Sequence, residues 1–272
     1  MDLNFHQTFK PEKNYISEIL QTASEAKNIT LSDLSYLTGI PQGESSGKLI
    51  PHLKYAKYMG LIDFSCESGT YNINLTNLGS AVLDQDVSLT EDITMILLNS
   101  NIINKENGAE LWSYCFNDFF NKYGNHSKYQ YYLKEISNQY GEKVKYGPFV
   151  KSYEEFFSQL NLIEINADNP QEENSICFNR IVPERELLPA IGYILFDLWD
   201  KKLSNEGEIT SSQLSTFNFR NCFAWSESDE LIALEKLEEY GLIRINKQLT
   251  PYTIIKLKEK EDILKLLYSE LF

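Results

Sequence analysis

Apolar side chains recur at three- and four-residue intervals over most of this chain, which predicts a mainly helical protein. The pattern is clearest between Ile29 and Leu75. Thr30 is placed as a helix N-cap, with Leu31, Leu34 and Leu37 on one face; Gly39 closes the helix and Pro41 prevents its continuation. A second helix starts between Ser45 and Pro51 and carries Leu49, Leu53 and Ala56 as its apolar stripe, flanked by Ile50 and Met59, up to Gly60. Residues 61–65 and 70–75 then alternate like two short strands around a Glu67-Ser68-Gly69 turn. Helix, turn, helix and two-stranded wing is the winged helix-turn-helix order. A helix before it, from Pro11 to about Ala26, completes a three-helix core, and Leu75 onward starts a closing helix.

The later regions repeat parts of this order. Helices are expected over residues 90–100, 109–122, 128–140 and 148–160, then strands at Leu162-Ile-Glu-Ile-Asn166 and Ser175–Asn179. The last third predicts a helix over 186–203, a short one over 209–214, a third capped by Ser226 and ended by Gly241, a small wing over 244–257 and a final helix. Three stretches share one shape: Tyr55–Phe64, Phe156–Ile165 and Lys236–Ile245. Each is a helix end, then Gly or Asn, then Leu-Ile and a strand. The expected fold is therefore mainly α with small β wings, as tandem winged helix-turn-helix units around a helical middle region. The expected domains are 1–85, an aromatic-rich helical domain over 86–185 that is itself winged-helix-like, and 186–272. Aromatics at helical spacing in the middle, such as Trp112, Phe116, Phe119 and Tyr132, are read as core.

Charge separates these units. The chain has 272 residues and a formal net charge of -14, which excludes broad wrapping of nucleic acid and leaves room only for a local contact. Between Ser45 and Ile62 there is no acidic residue, while Lys48, His52, Lys54 and Lys57 are present. On a helix Lys48, His52 and Tyr55 share a stripe, with Lys54, Lys57 and Tyr58 beside it. Such a cationic, tyrosine-bearing face suits phosphate contact and groove entry; an ordinary solvated helix face is the alternative. Ser45, Ser46 and the helix N-terminus are expected to add a phosphate contact. The third unit's main helix carries Glu227, Asp229, Glu230, Glu235, Glu238 and Glu239 against Lys236, and is expected to dock a basic protein or a second copy of this chain rather than DNA.

Catalytic signatures are sparse. Gly43-Glu-Ser-Ser-Gly47-Lys48-Leu49 departs from a phosphate-binding P-loop in spacing and in the residue after Lys. His6, His52 and His126 lie far apart in sequence with no metal-ligand spacing, so no metal and no cofactor is expected. His6, between Phe5 and Phe9, is read as a packing residue, with a ligand or base role as the alternative. Four scattered cysteines without a C-x-x-C, a start that lacks the apolar core of a signal peptide and no apolar run of membrane-spanning length lead to the expectation of a cytoplasmic protein with no membrane contact.

The opening Phe5-His-Gln-Thr-Phe9, the stretch from Thr38 to Ile62 and the segment around Asn221-Cys-Phe-Ala-Trp225 resemble a bacterial domain-of-unknown-function family that opens with a His-x-Thr-Phe motif before a winged helix. Genes of that family lie near phage-defence and DNA-phosphorothioation genes. Gln7 stands where the family's motif has Glu. The resemblance implies a DNA-associated component of a defence or modification system. Together with the residues it gives an expected function: a non-catalytic DNA-binding or adaptor component that contacts duplex DNA through the first winged helix. A scaffold that never touches DNA, and an enzyme with a site assembled from distant residues, are the alternatives.

Overall fold

The computed structural model describes residues 3–25, 28–43, 47–141, 143–166, 174–248 and 250–271. The chain divides into two compact units, residues 1–178 and 179–272. The described residues are mainly helical, with three antiparallel three-stranded sheets.

The first unit opens with a turn over residues 3–8 and helix α1 (Lys13–Glu25), which buries Ile16, Ile19, Leu20 and Ala23. Strand β1 (Asn28–Thr30) leads directly into α2 (Leu31–Thr38), and Thr30 caps it by accepting from the Asp33 amide at 3.2 Å. Helix α3 (Leu49–Tyr58) follows, then the hairpin of β2 (Ile62–Glu67) and β3 (Thr70–Leu75), and α4 (Asn77–Gln85), capped by Thr76. Ser68 and Gly69 make the hairpin turn with positive φ. The sheet order is β1-β3-β2.

The same unit continues with α5 (Asp92–Ile102), then α6 (Glu110–Ser113), a π-helical turn (Tyr114–Phe119) and α7 (Phe120–Tyr123) in one run. Strand β4 (His126–Lys128) leads into α8 (Tyr129–Tyr140). Helix α9 (Gly147–Lys151) runs on as a π turn (Ser152–Phe156) and a 3-10 turn (Ser158–Leu160). Strands β5 (Ile163–Asn166) and β6 (Ser175–Phe178) close a sheet of order β4-β6-β5. The expected helices over 109–122 and 148–160 are thus present but locally unwound. The aromatics Trp112, Phe116, Phe119, Tyr132 and Phe149 are fully buried, as core.

The second unit repeats the order: α10 (Leu188–Leu203), β7 (Glu208–Thr210), α11 (Ser211–Leu214), two 3-10 turns, α12 (Glu227–Glu239), β8 (Ile243–Asn246), β9 (Thr253–Lys256) and α13 (Lys260–Leu264). Its sheet order is β7-β9-β8. Thr210 and Ser226 each form a full capping box. Two 3-10 turns over 215–223 and the left-handed Asn218 and Ala224 lead the aromatic segment Phe219–Trp225 into the core.

The Gly/Asn-Leu-Ile repeat has a shared geometry. Gly60, Asn161 and Gly241 all have left-handed φ (75°, 45° and 83°). At the first and last, the following amide reaches back to close the helix: Leu61 N to Ala56 O and Leu242 N to Leu237 O, both 3.0 Å. The short strands β1, β4 and β7 were not anticipated, and residues 209–214 begin as strand rather than helix. Three residues are too few to show a period of two, and each of these strands exists only because the second strand of the hairpin that follows offers it an edge.

Candidate functional site

The stretch singled out for chemistry is α3 with the loop before it. Its amphipathic spacing and Gly60 fix the helix, but what covers each face is set by the N-terminal turn. Phe5 packs edge-on against Tyr55 (4.9 Å between centroids) and tilted on Tyr58 (4.7 Å), and Trp112 closes over Tyr55 at 5.9 Å. Phe5, His6, His52 and Tyr55 are all buried. The Phe5–Phe9 motif is therefore a plug over α3.

This placement corrects two expectations. His52 and Tyr55 were expected on the outer face of α3, nearest the base edges, yet neither exposes any surface. Tyr55 donates its hydroxyl to Phe9 O at 3.0 Å, and burial pushes its pKa well above the usual tyrosine value. His52 Nδ1 donates to Lys48 O at 2.7 Å, its ring meets Tyr15 edge-on at 5.0 Å, and burial lowers its pKa. A helical wheel cannot distinguish an outer stripe from one covered by a segment distant in sequence.

The three lysines fare differently. Lys48 Nζ donates to Glu12 at 2.7 Å and lies over the rings of Phe9 (5.8 Å) and Tyr15 (5.2 Å). That hydrogen bond raises its pKa. Lys48 is thus a strut between α3 and the start of α1. Lys54 is half-buried. Lys57 is exposed, 3.6 Å from Asp63 on β2 and 5.4 Å from the Phe64 ring. Tyr58 is half-buried beneath Phe5. Ser45 and Ser46 lie outside the described residues. The positive strip along Lys48, Lys54 and Lys57 is therefore interrupted by two carboxylates, Glu12 and Asp63.

Among the described residues no group of three or more His, Cys, Asp or Glu could hold a metal ion, and no helix is long and apolar enough to cross a membrane. On the acidic α12, Leu234 and Leu237 are buried, which leaves Ile232 as its exposed large apolar residue.

Sequence reasoning missed one feature of this region. A cavity of about 320 Å³ opens where the N-terminal turn meets the start of α3, lined by Gln7, Leu31, Gln42, Gly43, Gly47, Leu49 and Ile50. The signal that could have pointed to it is the pair of glycines, Gly43 and Gly47, just before α3.

With this geometry in hand, two solved structures can be set beside the chain. A crystal structure titled as magnesium ion-bound SspB matches it with a TM-score of 0.68 at 15% identity, covering 99% of this chain and 87% of that one. A second SspB crystal structure matches with a TM-score of 0.66 at 14% identity and the same coverage. The likeness is one of fold and runs through all three sheet motifs. No family model matches the chain, and no curated protein matches it.

Proposed function

We propose that this protein is a non-catalytic component of a bacterial DNA-modification or phage-defence system, built of three winged-helix units. Two lines support the system: the sequence resemblance carried by Phe5–Phe9 and Thr38–Ile62, and the SspB-like fold over the whole chain. The repeated helix, strand, helix, helix and hairpin, with the first strand pairing the last, supports the winged-helix reading.

In this proposal the first unit contacts duplex DNA locally, through the C-terminal half of α3. The observation that carries it is that α3 has no acidic residue in a chain of net charge -14, and that Lys54, Lys57 and Tyr58 reach its surface. The Lys57–Asp63 pair is long and solvated, and such pairs contribute about 0–1 kcal/mol, so a phosphate can displace the carboxylate. Lys48, His52 and Tyr55 hold the helix in place and are not contact residues. The rest of the acidic surface keeps the contact weak and salt-sensitive.

The engagement of Lys48 by Glu12 favours a second reading, a protein scaffold without DNA contact. Fluorescence anisotropy with duplex DNA at low salt separates the two. The expected result is saturable binding that weakens in a Lys54→Ala/Lys57→Ala variant and whose salt slope falls by about two. A folded parent that shows no binding at low salt, or a double variant that binds as the parent does, leaves the scaffold reading in its place.

A further inference from the structure

The first unit holds one motif twice, and a single ring joins the second helices of the two copies. In one copy β1, α2 and α3 precede the hairpin of β2 and β3; in the other β4, α8 and α9 precede the hairpin of β5 and β6. In both, the first strand pairs with the last. The Trp112 ring lies 5.9 Å from Tyr55 of α3 and 5.5 Å from Phe149 of α9, between centroids. The two stretches also share a charge pattern. Neither residues 45–62 nor residues 143–153 contain an acidic residue, and Lys143, Lys145 and Lys151 stand in the second stretch as Lys48, Lys54 and Lys57 do in the first.

The loop before α9 is tied to the N-terminal turn by one side chain. Asn4 Nδ2 donates to Lys143 O at 3.3 Å, and the Lys145 amide donates to Asn4 Oδ1 at 3.0 Å. A carboxamide that meets both a carbonyl and an amide of one segment satisfies two backbone groups at once and fixes their direction. The next residue, Phe5, carries the contact on to α3, with its ring 4.7 Å from that of Tyr58. Val144 is buried, and Lys143 and Lys145 on either side of it are exposed. Their ammonium groups have no partner among the described residues, whereas Lys48 is held by Glu12 and Lys57 faces Asp63. Lys151 faces Glu155 at 3.7 Å, and Glu155 also pairs with Lys10. Glu142 lies outside the described residues.

We propose that Lys143 and Lys145 form a second phosphate contact on the duplex that meets Lys54 and Lys57, so that one DNA molecule lies across α3 and the loop before α9. This site rests on the duplex contact proposed above and extends it to the middle motif. A duplex presents phosphates continuously along its axis, so lysines from two neighbouring elements can engage one molecule. An unpaired lysine releases a counterion from DNA without first giving up a carboxylate, which makes this pair at least as effective as Lys57. Lysines on phosphate position a protein and read no base edge. The second contact therefore adds affinity and orientation, not sequence preference. Asn4 is a positioning residue, because its two hydrogen bonds hold the loop beside the turn that packs on α3.

Fluorescence anisotropy of the full chain with a short labelled duplex, repeated over a series of salt concentrations, tests the proposal. Lys143→Ala/Lys145→Ala should weaken binding to all duplex sequences alike and lower the salt slope by about two. Both side chains are exposed, so Tm should not move. Lys143→Arg/Lys145→Arg should restore the slope, since arginine also meets phosphate. Adding Lys54→Ala/Lys57→Ala to the alanine pair should lower the slope by about four, and the parent should bind one duplex per chain. Asn4→Ala unties the loop, so the lysine pair should contribute less in that background than in the parent, as a double-mutant cycle reads. An equal contribution in both backgrounds would remove Asn4 from the site. If Lys54→Ala/Lys57→Ala weakens binding while Lys143→Ala/Lys145→Ala binds as the parent does, the second contact is absent and the contact through α3 stands. Two duplexes bound per chain would overturn the shared surface. A folded parent that binds no duplex at low salt overturns both contacts together.

Discussion

Helices α3 and α12 occupy the same place in two copies of one motif, yet they are secured with opposite chemistry. Aligned on Gly60 and Gly241, Tyr55 and Lys236 are equivalent, and each donates to a carbonyl of the segment entering the motif. Tyr55 reaches Phe9 O at 3.0 Å and Lys236 reaches Pro183 O at 2.7 Å. Lys48 and Asp229 are likewise equivalent, and each makes an ion pair with the entering segment. The polarity is reversed: Lys48 with Glu12 at 2.7 Å, Asp229 with Arg180 at 2.6 Å. The motif therefore requires a donor for an entry carbonyl and a pair across the helix start, not particular residues. This freedom lets one copy shed its acidic side chains while the other collects them.

The comparison is tested most strongly at the two glycines. Alanine at either must adopt a left-handed conformation, which costs roughly 1–2 kcal/mol. At Gly60 the new Cβ would also stand 2.7 Å from the Asn101 side chain, which is tied to Leu97 O at 2.9 Å. At Gly241 it meets nothing within 4 Å. Gly60→Ala should therefore lose about 3 kcal/mol or more in urea unfolding and Gly241→Ala about half that; equal losses would break the argument.

The next effect is in pH dependence, where the two helices should respond with opposite sign. Burial raises the Glu230 carboxyl from 4.5 to about 7. Its stability contribution is complete below pH 4.5 and is lost as pH rises toward 7, a span of roughly 3 kcal/mol. Glu230→Gln should flatten this loss and stabilise the second unit at neutral pH. Burial lowers His52 instead, so the first unit should lose stability as pH falls below about 6.5, and His52→Gln should reduce that loss. Thermal melts from pH 4.5 to 8 check both signs.

Smaller effects belong to the ion pairs. Reversing Lys48 to Glu should destabilise by about 1 kcal/mol, and Glu12→Lys in the same chain should restore part of it, as a double-mutant cycle would read. Removing Asp63 from Lys57 by Asp63→Asn should change stability by less than about 0.5 kcal/mol. The same change should strengthen duplex binding at low salt if Lys57 meets phosphate.

Much of this architecture was legible in advance because it rests on local chemistry. Thr30 and Ser226 announce helix starts through side-chain oxygens that accept nearby amides. Gly39, Gly60 and Gly241 announce helix ends through conformations that other residues resist. The aromatic periodicity of residues 110–157 correctly marked core. The π turns over 114–119 and 152–156 carry no comparable signal, since their buried positions fit either helical period. The three-residue strands had none either, because their partners lie about forty to fifty residues away in sequence.

The sequence by itself determined the order of helices and hairpins, the repeat that joins the motifs and the charge contrast between α3 and α12. Those depend on spacing, capping and composition, which are properties of neighbouring residues. Only the tertiary structure decided which face of α3 meets water. The Phe5–Phe9 turn and Trp112 cover Tyr55, Tyr15 meets the ring of His52, and Glu12 claims Lys48, because burial is fixed by what packs across a helix and not by the helix's own periodicity. The same packing brought Gln7 beside Leu31, Leu49 and Ile50 around a cavity.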